Sequence, residues 1–337
     1  MIKWSDTLGE TILDISVTVT PDPDYQLPPY TLVLFSEDEL KRFTNNYALD
    51  HSLGIGQFGV VFSGHTGEQE IVVKMSFNGM LLKVWQEEIE SLPAIGHHKN
   101  LIQLLGYSLS EGIIEGKLDS FDESLYLVYP RYARSLSDIL KSGEYGLSEI
   151  IKIVKGVALG LAHMHSGGWI HCDLKPDNIV LDEHHEAVII DFGNMVRIGR
   201  HHFGTFCYHD VYTASSASPL SDLHSLGVIM LQLIMKRMFP NNLRDEVAED
   251  FNLRKHVHTD IGKDRKSKRV GAHLISLALD CSNGLLIKRP ASVRHFIDKF
   301  EEVVARVLST FLRPVHTEYL LQLQMGPLQV DYGFMIA

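Results

Sequence analysis

Nine residues, Ile170-His171-Cys172-Asp173-Leu174-Lys175-Pro176-Asp177-Asn178, followed closely by Asp191-Phe192-Gly193, constrain this chain more than any other part of it. A carboxylate is followed by a lysine two positions on and an asparagine three beyond that. A second carboxylate then stands beside a phenylalanine and a glycine. Asp173 can accept or orient a substrate hydroxyl, and Lys175 can sit against a transferred phosphate. Asn178 and Asp191 can hold Mg²⁺. Each piece alone is a weak match; their order and spacing together are a strong one.

A second set lies upstream. Gly54-Ile55-Gly56-Gln57-Phe58-Gly59-Val60-Val61 fits G-x-G-x-x-G-x-V. That pattern can also open a dinucleotide-binding unit, but a helix then follows the glycines directly. Here Val60-Val61-Phe62-Ser63-Gly64 and Ile71-Val72-Val73-Lys74 follow, which read as strand, turn, strand. The glycines then let backbone cover the phosphates of ATP, and Lys74 holds the α/β-phosphates.

On these motifs the sequence resembles the eukaryotic protein kinase family. More narrowly, it resembles plant receptor-like kinases, including wall-associated-kinase-like members, and their Pelle/interleukin-receptor-associated relatives. Phe35-Ser36-Glu37-Asp38-Glu39-Leu40-Lys41, Asn100-Leu101-Ile102-Gln103-Leu104-Leu105-Gly106-Tyr107, Leu127-Val128-Tyr129 and Ser221-Asp222-Leu223-His224-Ser225-Leu226-Gly227-Val228 carry the narrower likeness. It covers about residues 35 to 305. The resemblance implies an α+β, bilobal fold: a small antiparallel β-sheet lobe with one main helix, and a larger, mostly helical lobe. It also implies a cleft for ATP and Mg²⁺ between the lobes.

Along the chain, residues 1–34 read as an arm whose Pro21, Pro23, Pro28 and Pro29 forbid regular structure after a strand-like stretch from Asp14 to Thr20. The kinase-like domain spans 35–306, with a small lobe to about 129 and a large lobe from about 133. Residues 307–337 form a tail. Ser36 and Glu39 predict a capping box at a helix start. Strands are expected near Ser52 to Ser63 and Glu70 to Ser76, and a helix from Leu81 to Leu92, where Leu81, Trp85, Ile89 and Leu92 recur at helical spacing. Glu111 to Glu123 reads as a long loop. Helices are expected at Leu136 to Leu140, Ser148 to His165, Ser221 to Met235, Ala272 to Cys281 and Ser292 to Leu312, with a short strand Val188-Ile189-Ile190.

The resemblance assigns roles residue by residue. Glu88 is the partner of Lys74, with Glu87 and Glu90 as rivals one or two positions away. Gly54, Ile55, Gly56, Gly59, Val61 and Val72 line the nucleotide. Tyr129 guards the back of the pocket, and Pro130, Arg131 and Tyr132 form the hinge beside adenine. Thr205 bridges Asp173 and Lys175, which points to serine/threonine rather than tyrosine substrates. His171 packs under the Asp-Phe-Gly turn, and Asp222 accepts catalytic-loop N–H groups.

A formal net charge of −11 argues against a general nucleic-acid binder. One segment runs the other way: Lys263, Arg265, Lys266, Lys268 and Arg269 read as a solvated loop, with an acidic-partner or lipid-headgroup patch as the alternative. Cys172, Cys207 and Cys281 are scattered, so neither a disulfide framework nor a zinc site is expected. A reducing, cytoplasmic setting fits, at the inner face of the plasma membrane through a partner. No apolar run is long enough to span a bilayer, and Met1-Ile2 does not offer a myristoylation glycine. The expected partners are a protein substrate presenting Ser or Thr and a membrane receptor or co-receptor kinase.

Two departures from the family pattern stand out. Cys172 occupies the place of an arginine that can clamp a phosphate on the activation segment, and that segment carries no Ser, Thr or Tyr before Thr205. After Gly204-Thr205-Phe206-Cys207-Tyr208 the family pattern has a Pro-Glu pair; this chain reads His209-Asp210-Val211-Tyr212-Thr213, as though two residues were missing. The glutamate would normally pair with a buried arginine, matched here by Arg289. Either Asp210 or another acid compensates, or the segment is loose. An active Ser/Thr kinase is therefore the leading reading. A nucleotide-binding pseudokinase or scaffold is the alternative, and a small-molecule kinase of similar fold is the third.

Overall fold

The computed structural model describes residues 32–56, 59–76, 82–109, 125–201, 204–205, 207–213 and 215–309. The expected strand from Asp14, the arm up to residue 31, the acidic loop at 111–123 and the C-terminal tail from residue 310 lie outside them.

A six-stranded sheet forms the small lobe. Its strands are β1 (Val33–Leu34), β2 (Ser52–Ile55), β3 (Gly59–His65), β4 (Glu70–Ser76), β5 (Gly106–Leu109) and β6 (Leu125–Pro130). Their order is β1-β5-β6-β4-β3-β2, antiparallel except for the β1–β5 edge. β6 is buried on both faces along Leu125 to Tyr129, which is why it is an unbroken apolar run. β4 alternates instead. Ile71 and Val73 are fully buried on one face with Tyr126, Val128 and Leu40, while Val72 and Lys74 take the other. Leu40 fastens α1 (Glu37–Phe43) to the first face. The start of α1 is fixed by a capping box: Ser36 Oγ accepts from the Glu39 N–H at 3.3 Å, and Glu39 Oε2 accepts from the Ser36 N–H at 2.8 Å.

Gly106 is what admits β1 to the sheet. A Cβ there would lie 2.1 Å from Val33 O. Val33 and Leu34, read from the sequence as part of the arm, thus add an edge strand. The second face of the sheet meets α2 (Leu82–Ile95) and the large lobe, whose core is continuous with Leu127 and Tyr129.

The large lobe is built on α4 (Leu147–Ser166) and α5 (Pro219–Met235), with α3 (Leu136–Ser142), α6 (Leu243–Ala248), α7 (Arg265–Cys281) and α8 (Val293–Ser309) around them. α5 is buried almost all round, as its near-continuous apolar sequence requires. Short strands fix the loops that matter. β8 (Trp169–Ile170) pairs with β11 (Val196–Arg197); β9 (Ile179–Leu181) lies between β7 (Arg134–Ser135) and β10 (Ala187–Ile189). Residues 171–178 are therefore strung between β8 and β9, and Asp191 leaves the end of β10.

Several expectations need correction. α7 begins at Arg265 rather than Ala272, so most of the basic segment is helix rather than loop. Asp264 caps it, accepting from the Lys266 and Ser267 N–H groups at 2.7 and 2.8 Å. α2 runs to Ile95 with Pro93 inside it. Neither α6 nor the edge strand β1 was expected.

Candidate functional site

Cross-strand register decides which small-lobe side chains share a face. Lys74 pairs with Val61 and Leu127, Val61 with Gly54, and Val72 with Tyr129. Directly opposite residues point the same way, so Gly54, Val61, Val72, Lys74, Leu127 and Tyr129 line one face, the one turned to the large lobe. Ile55 pairs with Val60 and falls on the opposite face, with 75% of its surface exposed. Its side chain therefore does not line the cleft, and only its backbone can face a ligand. Gly59 is fixed by close approach: a Cβ would sit 1.9 Å from Met75 O. The hairpin is closed by Gly56 N–H donating to Gly59 O at 2.8 Å. At the far end of the roof, Arg131 N–H is taken by Glu70 O at 3.1 Å. Among the described residues the neighbouring Tyr132 N–H makes no hydrogen bond, which leaves it as a donor at the mouth beyond Pro130.

Beneath this roof, Lys74 Nζ lies 2.8 Å from Asp191 Oδ1 and 3.3 Å from Glu88 Oε2. Of the candidate acids on α2, Glu88 meets Lys74 and Glu90 is exposed, while the Glu87 side chain lies outside the described ones. Glu88 is itself buried and oriented by Tyr129, whose hydroxyl donates to Oε1 at 2.6 Å. Burial opposes the Lys74 charge, but Asp191 and Glu88 outweigh it and push its pKa up. Burial likewise works against ionised Asp191, yet the Lys74 charge and hydrogen bond hold its carboxyl below the usual range. The pair is ionised at neutral pH.

The catalytic loop builds a second charged group beside the first. Lys175 Nζ donates to Asp173 Oδ2 at 2.7 Å and to Thr205 Oγ1 at 3.0 Å. Thr205 closes the triangle, its hydroxyl and its N–H both donating to Asp173 Oδ1, at 2.7 and 2.9 Å. Asn178 Nδ2 donates to the Asp173 carbonyl at 2.8 Å. That contact directs the amide, leaving Oδ1 as an acceptor for a cation. Asn194, just after the Asp-Phe-Gly turn, reaches Asp173 Oδ2 at 3.5 Å and was not singled out from the sequence.

The loop is anchored from below. Asp222, fully buried, accepts from the His171 and Cys172 N–H groups at 3.0 and 2.9 Å and contacts His165 Nε2 at 2.8 Å. Burial opposes its charge, but these partners keep it ionised. They also support Cys172 at φ 67°, a left-handed conformation uncommon for a residue with a side chain. The His171 ring lies tilted at 60° against Phe192 with ring centroids 5.4 Å apart, and its Nε2 contacts Ile190 O at 3.1 Å. It is built into the support. The Cys172 thiol packs with Ile170, Val196 and Ala217, and burial first, then Asp222 and Asp173, push its pKa up. A neutral apolar plug stands where a cation could have met a phosphate.

Asp210 answers the missing acid. Arg289 grips it with both terminal nitrogens, Nη1 to Oδ2 at 2.5 Å and Nη2 to Oδ1 at 3.1 Å. Both side chains are 0% exposed. Arg289 Nε donates to Asn283 O at 2.7 Å and Nη1 to Leu220 O at 3.1 Å. Thr213 Oγ1 donates to Asp210 Oδ2 at 2.7 Å, and Ser221 Oγ to Thr213 Oγ1 at 2.8 Å. Burial opposes ionised Asp210, but Arg289 and Thr213 hold its carboxyl below the usual range.

A family model described as the protein kinase domain matches residues 47–301. Among curated Arabidopsis thaliana proteins, the probable LRR receptor-like serine/threonine-protein kinase MEE39 is 28% identical over 290 residues, 76% of this chain and 31% of its own length. The probable serine/threonine-protein kinase PBL10 is 28% identical over 264 residues, 69% of this chain and 61% of its own length. The proline-rich receptor-like protein kinase PERK12 is 30% identical over 223 residues, 60% of this chain and 29% of its own length. The chain thus spans less than two thirds of the length of each of these relatives. Among the described residues no helix is long and apolar enough to cross a membrane.

Proposed function

The chain belongs to the protein kinase domain family, and from that membership we propose that it is an active serine/threonine kinase of plant receptor-type signalling, transferring the ATP γ-phosphoryl group to protein hydroxyls. The observation that carries this reading is the Asp173–Lys175–Thr205 triangle, joined in one cleft to the Lys74–Glu88–Asp191 group.

The residues fit Mg²⁺ and ATP. Asp191 is kept ionised, Asn178 has its oxygen directed by Asp173, and Gly59 packs its backbone against Met75 while Gly54 and Gly56 bring no side chain to that hairpin. When bound, Mg-ATP supplies the phosphoryl group and the charge that neutralises it. Asp191 and Asn178 would hold the metal, and Lys74 the α/β-phosphates, with Glu88 keeping the ammonium in position. Tyr132, with Pro130 beside it, would meet the adenine, and Val61 and Val72 would cover it. Asp173 aligns the incoming hydroxyl and takes its proton at the carboxylate. Lys175 offsets charge on the transferred group. Little covalent chemistry is needed, because the transition state is loose and positioning does most of the catalysis.

Asp210 in the grip of Arg289 favours activity over a scaffold role. The alternative rested on a loosened substrate segment, and a buried, bidentate pair with further hydrogen bonds holds that segment to α5 and the Arg289 loop. The buried Cys172 supports switching without an arginine–phosphate clamp, that is, a kinase of non-RD type, in which the arginine before the catalytic aspartate is absent. Autophosphorylation with Mg-ATP, comparing wild type with Lys74→Ala and Asp191→Ala, tests the assignment. Transfer is expected in the wild type alone; equal transfer in both variants removes the catalytic roles, and nucleotide binding without any transfer favours the scaffold.

A further inference from the structure

The stretch from Phe251 to Arg269 concentrates cations in a chain whose formal net charge is −11. The 3₁₀ turn Leu253–Lys255 packs on α7, and a cavity of about 390 Å³ there is lined by Asn252, Arg254, Lys255, Arg265 and Lys268. A second cavity, of about 400 Å³, shares Asn252 and Arg254 and is bordered by Phe251 and His273. Both are shallow hollows open to solvent. No cleft residue lines either one.

Three of the nearby acids already have partners. Asp250 pairs with Lys255 and His256, Asp260 with Lys236, and Asp264 caps α7. Among the described residues Arg254, Arg265 and Lys268 make no ion pair. Like charges gathered with no carboxylate paired to them repel one another, so the arrangement suits an anion from outside. Beside them the Phe251 ring is fully exposed to water. An acidic peptide would satisfy the cations and leave that ring in solvent. A membrane interface satisfies both, with phosphates for the cations and the headgroup–acyl boundary for the ring.

We propose that this cationic double cavity docks the chain directly onto a membrane surface bearing anionic phospholipid headgroups, with Phe251 inserted into the interface. The contact needs no membrane-spanning segment and leaves the catalytic cleft open.

Co-sedimentation of the full chain with phosphatidylcholine vesicles, with and without roughly one-fifth phosphatidylserine, tests it. Binding is expected only with the anionic lipid, and release on raising the salt. A basic side chain near such a surface contributes about 1 kcal/mol, roughly fivefold, so an Arg254→Ala/Arg265→Ala/Lys268→Ala variant should partition about 100-fold more weakly. Phe251→Ser should lose about tenfold while keeping the salt dependence. Thermal melting and autophosphorylation in solution check that the variants fold. The proposal is overturned by equal binding to pure phosphatidylcholine, by wild-type binding in the triple variant, or by failure to bind anionic vesicles while binding a phosphorylated acidic peptide.

Discussion

The cleft and the Asp210–Arg289 pair use the same chemistry, carboxylates opposite cations, for opposite ends. At the cleft, Lys74 and Asp191 are 13% and 30% exposed, and each cation is shared between two acceptors. Such contacts can be exchanged for a phosphate or a metal at small cost. The Asp210 and Arg289 side chains have no exposure, and further hydrogen bonds tie them to Tyr212, Thr213, Asn283 and Leu220. Nothing can replace those partners. Access to solvent, rather than charge type, separates a working pair from a fastening.

The largest effect should come from breaking the fastening. Asp210→Ala leaves a buried guanidinium unmatched and is expected to cost about 3–5 kcal/mol of stability, read from denaturant unfolding. An apolar double replacement of Asp210 and Arg289 should be less damaging than either single change, since no lone charge remains. If Asp210→Ala melted like the wild type, the contrast would collapse. Next is Asp191→Asn, which keeps the shape and removes the charge. Transfer should fall by about 10²–10³ in a phosphorylation assay, with little change in melting.

Acid should then separate the regions further. Burial, against the pull of Asp210, lowers His224 from the ordinary 6.5 to about 4. Its neutral form is thus favoured when folded, so stability is lost as pH falls from 6.5 towards 4 and levels off below. Asp210, with its carboxyl held low, keeps its contribution above the unfolded carboxylate range and loses it only as pH falls through its own lower value. His224→Gln should flatten the first slope by on the order of 2 kcal/mol, measured by melting across pH. His98, also lowered to about 4 chiefly by burial, should retain part of that slope. The smallest effect is expected outside both regions: Asp264→Ala, at the cap of α7, should cost about 1 kcal/mol and leave transfer untouched.

Much of the cleft was legible because its residues sit at fixed short spacings on loops that short strands hold. Asp173, Lys175 and Asn178 are such a set. The choice of Glu88 over its neighbours needed the resemblance, since α2 alone offers several acids within one turn. The Arg289 grip on Asp210 joins residues 79 positions apart, and only the fold decides that reach. Ile55 was misjudged for a local reason: β2 shifts register between Ser52 and Gly54, and one residue of slip moves a side chain to the other face. The first turns of α7 carry Arg265, Lys266, Lys268 and Arg269 without an apolar stripe, so periodicity was silent; the Asp264 cap was the signal to read. The six residues of α6 are too few to show a period.

Single-turnover transfer from Mg-ATP by Asp173→Asn, measured alongside nucleotide affinity, probes the assembled cleft most directly. Transfer reduced by at least about 10², with affinity and melting near those of the wild type, is the predicted result. Undiminished transfer by that variant would contradict the account.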